Sequence, residues 1–187
     1  MVTLRDMKAE EQEKIFQLYE EAFPEIERKP IPMLLDLRKK DKIYLLAVHD
    51  GESDEVVGLS FLLHYGDMIL FDYFAIMPQH QSKGYGAEVL RAVVERYPGK
   101  RIFGEVEPLD PEAPNAKQRQ RRMDFYLRNG VKETGIIVNL FGCELQLMYA
   151  GDTPITYTEY VKFLRHIYGG LKGRLIVRRN VHFVRQM

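Results

Sequence analysis

Only one cysteine, Cys143, occurs in 187 residues, which excludes an intramolecular disulfide and any cysteine-built zinc finger. Net charge is missing too. Lys and Arg number 27, and Asp and Glu also number 27, so neither a basic coat for nucleic acid nor an acidic disordered tail is expected. No apolar run approaches the roughly 20 residues that a membrane-spanning helix needs, and the opening Met1–Lys8 has no apolar signal core. No internal repeat or low-complexity tract interrupts the chain. His49, His64, His80, His166 and His182 show no metal-ligand spacing, so no metal is expected. These absences predict a soluble, cytoplasmic protein whose partner is neither a membrane nor a nucleic acid.

What the chain does have is apolar content. At this length, 45% hydrophobic residues can bury a substantial core. The length suits one domain and no linker composition divides it, so residues 1–187 read as a single domain. The balanced charge hides a gradient. Residues 1–60 hold 9 basic and 14 acidic side chains, 61–150 hold 11 of each, and 151–187 hold 7 basic and 2 acidic. Ordinary surface scatter accounts for this, and so does an acidic end that faces a cationic substrate.

Hydrophobic spacing sets the elements. Ile15, Phe16, Leu18, Tyr19, Ala22 and Phe23 recur at helical spacing until Pro24, and a short helix through Leu34, Leu35 and Leu37 follows Pro30 and Pro32. Ile43–His49, Val56–Tyr65 and Met68–Met77 read as strands of an antiparallel meander, turning at Asp50-Gly51 and Gly66-Asp67. The period is helical from Gly84 to Tyr97, and Arg101–Glu107 returns as a strand. That βαβ unit predicts a parallel pair. After a proline-bearing loop (Pro108, Pro111, Pro114), a helix runs through Asp124–Leu127 to Asn129-Gly130. Thr134–Phe141 and Glu144–Ala150 form a hairpin around Gly142-Cys143, where Cys143 is expected as a small buried hydrophobe. Thr156–Tyr168 is an amphipathic helix, whose aromatic stripe suits a core, a pocket wall or a dimer interface. Arg174–Arg179 reads as a basic, strand-like tail. An exposed strand there could pair with a copy of itself, so monomer and homodimer both stay open.

The informative segment runs from Phe74 to Leu90. A buried strand enters a turn with Gly84 and Gly86, and the turn opens a helix. The first amides of a helix lack partners within it and carry partial positive charge, and glycines let a pyrophosphate approach the backbone. A plain strand-to-helix turn would use the same glycines. There is no GxxxxGK[ST] segment, and Gly84-Tyr85-Gly86-Ala87-Glu88-Val89 fails the dinucleotide fingerprint at its last position.

Gln81-Ser82-Lys83-Gly84-Tyr85-Gly86-Ala87 resembles the Q/R-x-x-G-x-G/A signature of the GNAT acyl-CoA N-acyltransferase superfamily, with Ile76 and Pro78 in similar places before it. Phe125-Tyr126 to Gly130-Val131 resembles the family's aromatic-Tyr-x-x-x-Gly-hydrophobic motif. The opening, with Arg5 before a helix that ends in Ala22-Phe23-Pro24, is similar to many members. The likeness covers about residues 2–150, leaving 151–187 as a helix and strand extension. It implies a mixed α/β fold: a central, mostly antiparallel twisted sheet with a βαβ unit splayed to hold acyl-CoA and helices on both faces. It also implies acetyl-CoA as donor, an amine of a small molecule or peptide as acceptor, and direct attack without a covalent enzyme intermediate. The amides of Gln81, Ser82, Lys83, Gly84, Tyr85, Gly86 and Ala87 would hold the pyrophosphate. The backbone of Phe74 and Ile76 would pair with the pantetheine arm like an added strand.

Holding the reactants together and aiming amides at the oxyanion would lower the barrier. Tyr126 is the expected general acid for the departing thiolate, since a phenol with a pKa near 10 stays protonated at neutral pH; a core aromatic is the other reading. Glu105 resembles the place of a catalytic glutamate in some members. By alternation Glu105 and Glu107 point to one face, so one would serve as base and the other bind substrate; a salt-bridged surface pair is equally open. Asp72 on the preceding strand is a rival base or substrate contact. Many members carry an asparagine two helical turns before the tyrosine; here Arg119 stands there and Asn115 lies earlier. Lys117, Arg119, Arg121, Arg122 and Arg128 form a basic run that suits a solvated helix face or contact with the cofactor's phosphates. A non-catalytic acyl-CoA sensor and an interaction protein on the same fold are the alternatives to an enzyme.

Overall fold

Apolar residues at these spacings build eight strands and six helices in the computed structural model, which describes residues 1–186, Lys172 by its backbone alone. The chain divides into two units. One holds Met1–His64 and Phe71–Pro98; the other holds Tyr65–Leu70 and the chain from Gly99 onward.

In the first unit β1 (Val2–Asp6) is followed by α1 (Gln12–Ala22), α2 (Ile31–Lys39), β2 (Ile43–Asp50), β3 (Val56–Tyr65), β4 (Met68–Ile76) and α3 (Tyr85–Arg96). The strand order is β1-β2-β3-β4, and the β1–β2 and β2–β3 pairs are antiparallel. Leu45, Leu46, Ala47 and Val48 are all buried, as are Leu59, Phe61 and Leu62. Consecutive burial means that both faces of these strands are covered, so their sequence runs apolar with little alternation. α1 ends where Pro24 forces Phe23 out of the helical region, at φ −124° and ψ 136°. It lays Phe16 and Tyr19 on Phe61 with ring centroids 6.3 and 5.6 Å apart, and Tyr73 meets Tyr19 edge-on at 4.8 Å. Such pairs add about 0.5–1.5 kcal/mol each beyond burial.

The second unit contains β5 (Arg101–Val106), α4 (Ala116–Arg128), β6 (Val131–Leu140), β7 (Cys143–Ala150), α5 (Tyr157–Tyr168), α6 (Gly170–Asn180) and β8 (Val181–Gln186). The first residues of β4 precede β5 in the order β5-β7-β6-β8, and the β5–β7, β6–β7 and β6–β8 pairs are antiparallel. The two faces of β5 are covered by different helices. Phe103 receives Tyr160 and Phe163 of α5, at 6.3 and 5.1 Å between centroids. Val106 is buried with Met123 of α4 and Met148 of β7, and Tyr126 packs against that cluster. Thr156 opens α5 with a capping box, its side chain accepting from the Glu159 amide while Glu159 reaches back.

The mixed α/β class and the mostly antiparallel sheet match the expectation. Two readings need correction. Cys143 is exposed rather than buried, because β7 begins there, at the tip of the β6–β7 hairpin. Residues 174–179 are helical within α6, not a strand. The run of Leu175, Ile176 and Val177 looks like strand material, but burying Val177 from a helix satisfies the packing instead. The strand follows at Val181–Gln186 and pairs with β6 of the same chain. The helix carrying Tyr126 starts at Ala116 and so takes in the basic run from Lys117 to Arg128.

Candidate active site

β4 runs out at Ile76, a 3-10 turn covers Pro78–His80, and α3 starts at Tyr85. Between them Ser82 has φ +63° and Gly84 has φ +87°. A Cβ on Gly84 would meet nothing within 4 Å, so it is the left-handed backbone, not lack of space, that calls for glycine there. The Gln81 amide donates to Pro78 O at 3.3 Å, and the Ala87 and Glu88 amides donate to Gly84 O at 3.1 and 3.3 Å. Among the described residues, the five amides from Ser82 to Gly86 have no backbone acceptor. Left-handed turns beside a helix N-terminus make an anion-binding concavity, and this one has an exposed lysine, Lys83, beside it.

The motif side chains hold this loop in shape. Gln81 Nε2 donates to Ile76 O at 3.0 Å, tying the loop to the strand end. The Tyr85 hydroxyl donates to Asp50, which also accepts from the Glu52 and Ser53 amides at 2.8 and 3.0 Å. These bonds hold the Asp50 carboxyl well below the usual carboxylate range, the tyrosine's first, and the Asp50 partner pushes the Tyr85 phenol up to about 12.

Phe74 and Ile76 are half-buried on β4. Ile76 O is already engaged by Gln81, and the Met77 amide donates to Val57 O at 2.9 Å. Gly58 on β3 went unnoticed in the sequence. A Cβ there would stand 2.4 Å from Ala75 O, so the close approach of β3 to this end of β4 requires glycine. A glycine inside a strand pattern was the available signal.

Asp72, the rival base, is buried and paired. Lys29 Nζ lies 3.0 and 2.8 Å from its two oxygens and 4.9 Å over the Tyr73 ring. Burial pushes the Asp72 carboxyl up while Lys29 pulls it down. The segment bearing Lys29 is stitched to β4 as well. The Tyr73 hydroxyl donates to Glu27 O at 2.7 Å and accepts from the Lys29 amide at 3.0 Å.

In the second unit Glu105 accepts a 2.7 Å hydrogen bond from the Tyr160 hydroxyl, so its side chain lies on the α5 face of β5. Tyr126 packs with Val106 on the α4 face. The two residues flank β5 from opposite sides. Burial pushes the Tyr126 phenol above its ordinary value, opposed by the Arg122 guanidinium. Glu107 does not share the face of Glu105. β5 stops at Val106, so alternation no longer applies, and Glu107 turns to α4, where Arg119 and Arg122 lie 2.9 and 3.2 Å away. Asn115 donates to the same carboxylate at 3.1 Å and accepts from Arg119 Nε at 2.8 Å, while another Arg119 nitrogen donates to Pro108 O at 3.0 Å. Two of the five basic residues, Arg119 and Arg122, are therefore spent on the β5–α4 loop, while Lys117, Arg121 and Arg128 are exposed.

A strand end, a loop of amides without backbone acceptors and a helix N-capped by Gly84 thus follow one another along the chain. The profile of the "Acetyltransferase (GNAT) family" matches residues 11–130. The chain belongs to that family, whose members are acyl-CoA-dependent N-acetyltransferases. It is similar to a solved protein from Bacteroides thetaiotaomicron assigned to the GNAT acetyltransferases, with 17% identity over 92% of this chain and 98% of that one and a TM-score of 0.71. It is also similar to an aminoglycoside 6'-N-acetyltransferase solved with coenzyme A (14% identity, 83% and 99% covered, TM-score 0.62). A third is the ribosomal-protein-S18-alanine N-acetyltransferase of Escherichia coli (11%, 84% and 97%, 0.54). At these identities the likeness concerns the fold. No curated protein sequence matches.

Proposed function

We propose that this chain transfers an acetyl group from acetyl-CoA to a primary amine by direct attack. The carrying observation is the run of five open amides from Ser82 to Gly86 at the N-terminus of α3. Such a cradle fits the diphosphate of coenzyme A: its amides have no backbone acceptor, its first helical turn adds partial positive charge, and Lys83 supplies a cation. Gln81 and Ala87 flank the cradle, and their own amides stay bonded to the protein. Backbone groups of Phe74 and Ile76 would pair with the pantetheine amides. Bound acetyl-CoA supplies the thioester carbonyl and the leaving thiol.

Glu105 would take the amine's proton, through water, and Tyr126 would deliver its Oη proton to the departing sulfur. The raised Tyr126 phenol stays a proton donor across neutral pH. Asp72 and Glu107 are already matched by Lys29 and by Arg119 with Arg122, so both serve as scaffold in this reading. The acidic side chains of residues 1–60 favour a cationic acceptor, in keeping with the aminoglycoside named for one similar structure.

A thermal-shift titration tests the cofactor. At about 100 times its dissociation constant, acetyl-CoA should stabilise the fold by about 2.7 kcal/mol, more than ADP or pantetheine. No shift at millimolar acetyl-CoA overturns the proposal; a shift without turnover on spermidine, kanamycin or an N-terminal alanine peptide turns it toward a sensor.

A further inference from the structure

We propose that helix α6 docks on a second copy of this chain, with Leu171 and Leu175 meeting the partner's Ile26 and the α6 arginines meeting the glutamates around it. Apart from Met1, these are the most exposed large hydrophobic side chains among the described residues. Ile26 is 90% exposed, Leu171 80% and Leu175 64%, and every other one is at 49% or less. A single exposed leucine or isoleucine is ordinary. Here each stands within a rim of one charge sign, and the two rims are opposite.

The α6 surface follows from its spacing. Gly173 and Val177, one turn apart, are buried and hold the helix to its own chain. Leu171 and Leu175 are also one turn apart, and at about 100° per residue they fall on the opposite side of the helix. A surface helix ordinarily turns polar residues outward; this one turns out two leucines. Arg174 follows Leu171 by three residues, and Arg178 and Arg179 follow Leu175 by three and four, which places guanidinium groups beside both. All three arginines are exposed and form no ion pair among the described residues. No acidic residue occurs from Gly170 to Gln186.

The opposing surface is the 3-10 turn Glu25–Glu27 that follows α1. Its backbone is held from within: the Glu27 amide donates to Pro24 O at 2.9 Å, and the Tyr73 hydroxyl donates to Glu27 O at 2.7 Å. Ile26 is thus presented on an ordered turn, which lowers the cost of ordering on binding. Glu25 and Glu27 flank it, exposed and with no ion pair among the described residues. Glu20, which reaches Arg28 at 3.6 Å, adds a third carboxylate against one guanidinium.

An apolar centre with a charged rim is the ordinary anatomy of a protein interface, and opposite rims select the partner and its register. One surface belongs to each unit of the chain, so a second copy always brings the complement at equal concentration. An anionic membrane would attract the same arginines, yet it would give the Glu25–Glu27 turn nothing to meet. Three apolar anchors suit a transient interface, below about 1,200 Å² in total.

The test is sedimentation velocity at low salt with wild type, Arg178→Glu/Arg179→Glu and Glu25→Arg/Glu27→Arg. The wild-type mass should rise above that of a monomer between about 10 and about 300 μM. R178E/R179E and E25R/E27R should each stay monomeric, because like charges then face one another. An equimolar mixture of the two should associate again, because each supplies the charge that the other has reversed. Wild type that stays monomeric overturns the proposal, and flotation of that monomer with phosphatidylserine vesicles would assign α6 to a membrane instead. Variants that associate like wild type, or a mixture that stays monomeric, also overturn it. Should a charge variant fail to fold by circular dichroism, Leu171→Ser with Leu175→Ser removes the apolar ridge and keeps the charges. That variant should be monomeric, and wild-type association in it overturns the proposal.

Discussion

The two units offer candidate groups of different kinds. In the first, the Ser82–Gly86 loop offers backbone amides, and its side chains, Gln81 and Tyr85 among them, serve to hold the backbone in shape. In the second, Glu105 and Tyr126 offer side chains, and the backbone of β5 only sets which face each approaches. A backbone site depends on local conformation and tolerates most side chains that keep it. A side-chain site depends on what its neighbours leave available. The carboxylates show this: Lys29 meets Asp72, Arg119 and Arg122 meet Glu107, and the Tyr160 hydroxyl donates to Glu105.

This contrast can be broken at four places. The largest effect belongs to Gly86→Glu, which puts bulk and negative charge into the amide cradle; acetyl-CoA affinity by calorimetry should fall more than about a hundredfold. Wild-type affinity would mean that the loop is not the phosphate site. Next comes Lys29→Met, which leaves Asp72 buried without its cation and should cost about 3–5 kcal/mol in urea unfolding. A small cost together with a large fall in turnover would move Asp72 from scaffold to site.

Tyr126→Phe removes one oxygen and should lower kcat about a hundredfold while acetyl-CoA affinity holds. A stability loss with an unchanged rate would make Tyr126 a core aromatic and leave the second unit without its acid. The smallest effect is Tyr85→Phe, read in acid unfolding. Asp50 is depressed in the fold chiefly by the Tyr85 hydroxyl, so its contribution is present above the unfolded carboxylate range and lost as pH falls through the folded value. Without that hydroxyl the folded value rises and the acid midpoint should shift to higher pH. An unchanged midpoint would show that the loop keeps its shape without this anchor.

Legibility followed the same division. Val56–Tyr65 was read to the residue and the helix after Gly84 to within one residue, because strong periodicity and glycine punctuation are local signals. The C-terminal segment was misread, since Leu175–Val177 has strand propensity and its burial as a helix is a tertiary decision. The site divided likewise. Gly84 was visible as the opening of a helix, but its left-handed backbone was not, since the residue before a helix is ordinarily extended. Lys29, Arg119 as the partner of Glu107, and Tyr160 carried no signal, because nothing in the nearby sequence tells whether a charge will be met.

By itself the sequence determined the order of most elements, the glycine-bearing turn and the family, all properties of spacing within a few residues. Only the tertiary structure decided what each acid meets. Asp72 is met by Lys29 from 43 residues away, and Glu105 by Tyr160 from 55. A pairing across such separations is set by how strands and helices pack, because side-chain hydrogen bonds and ion pairs reach only about 3–4 Å.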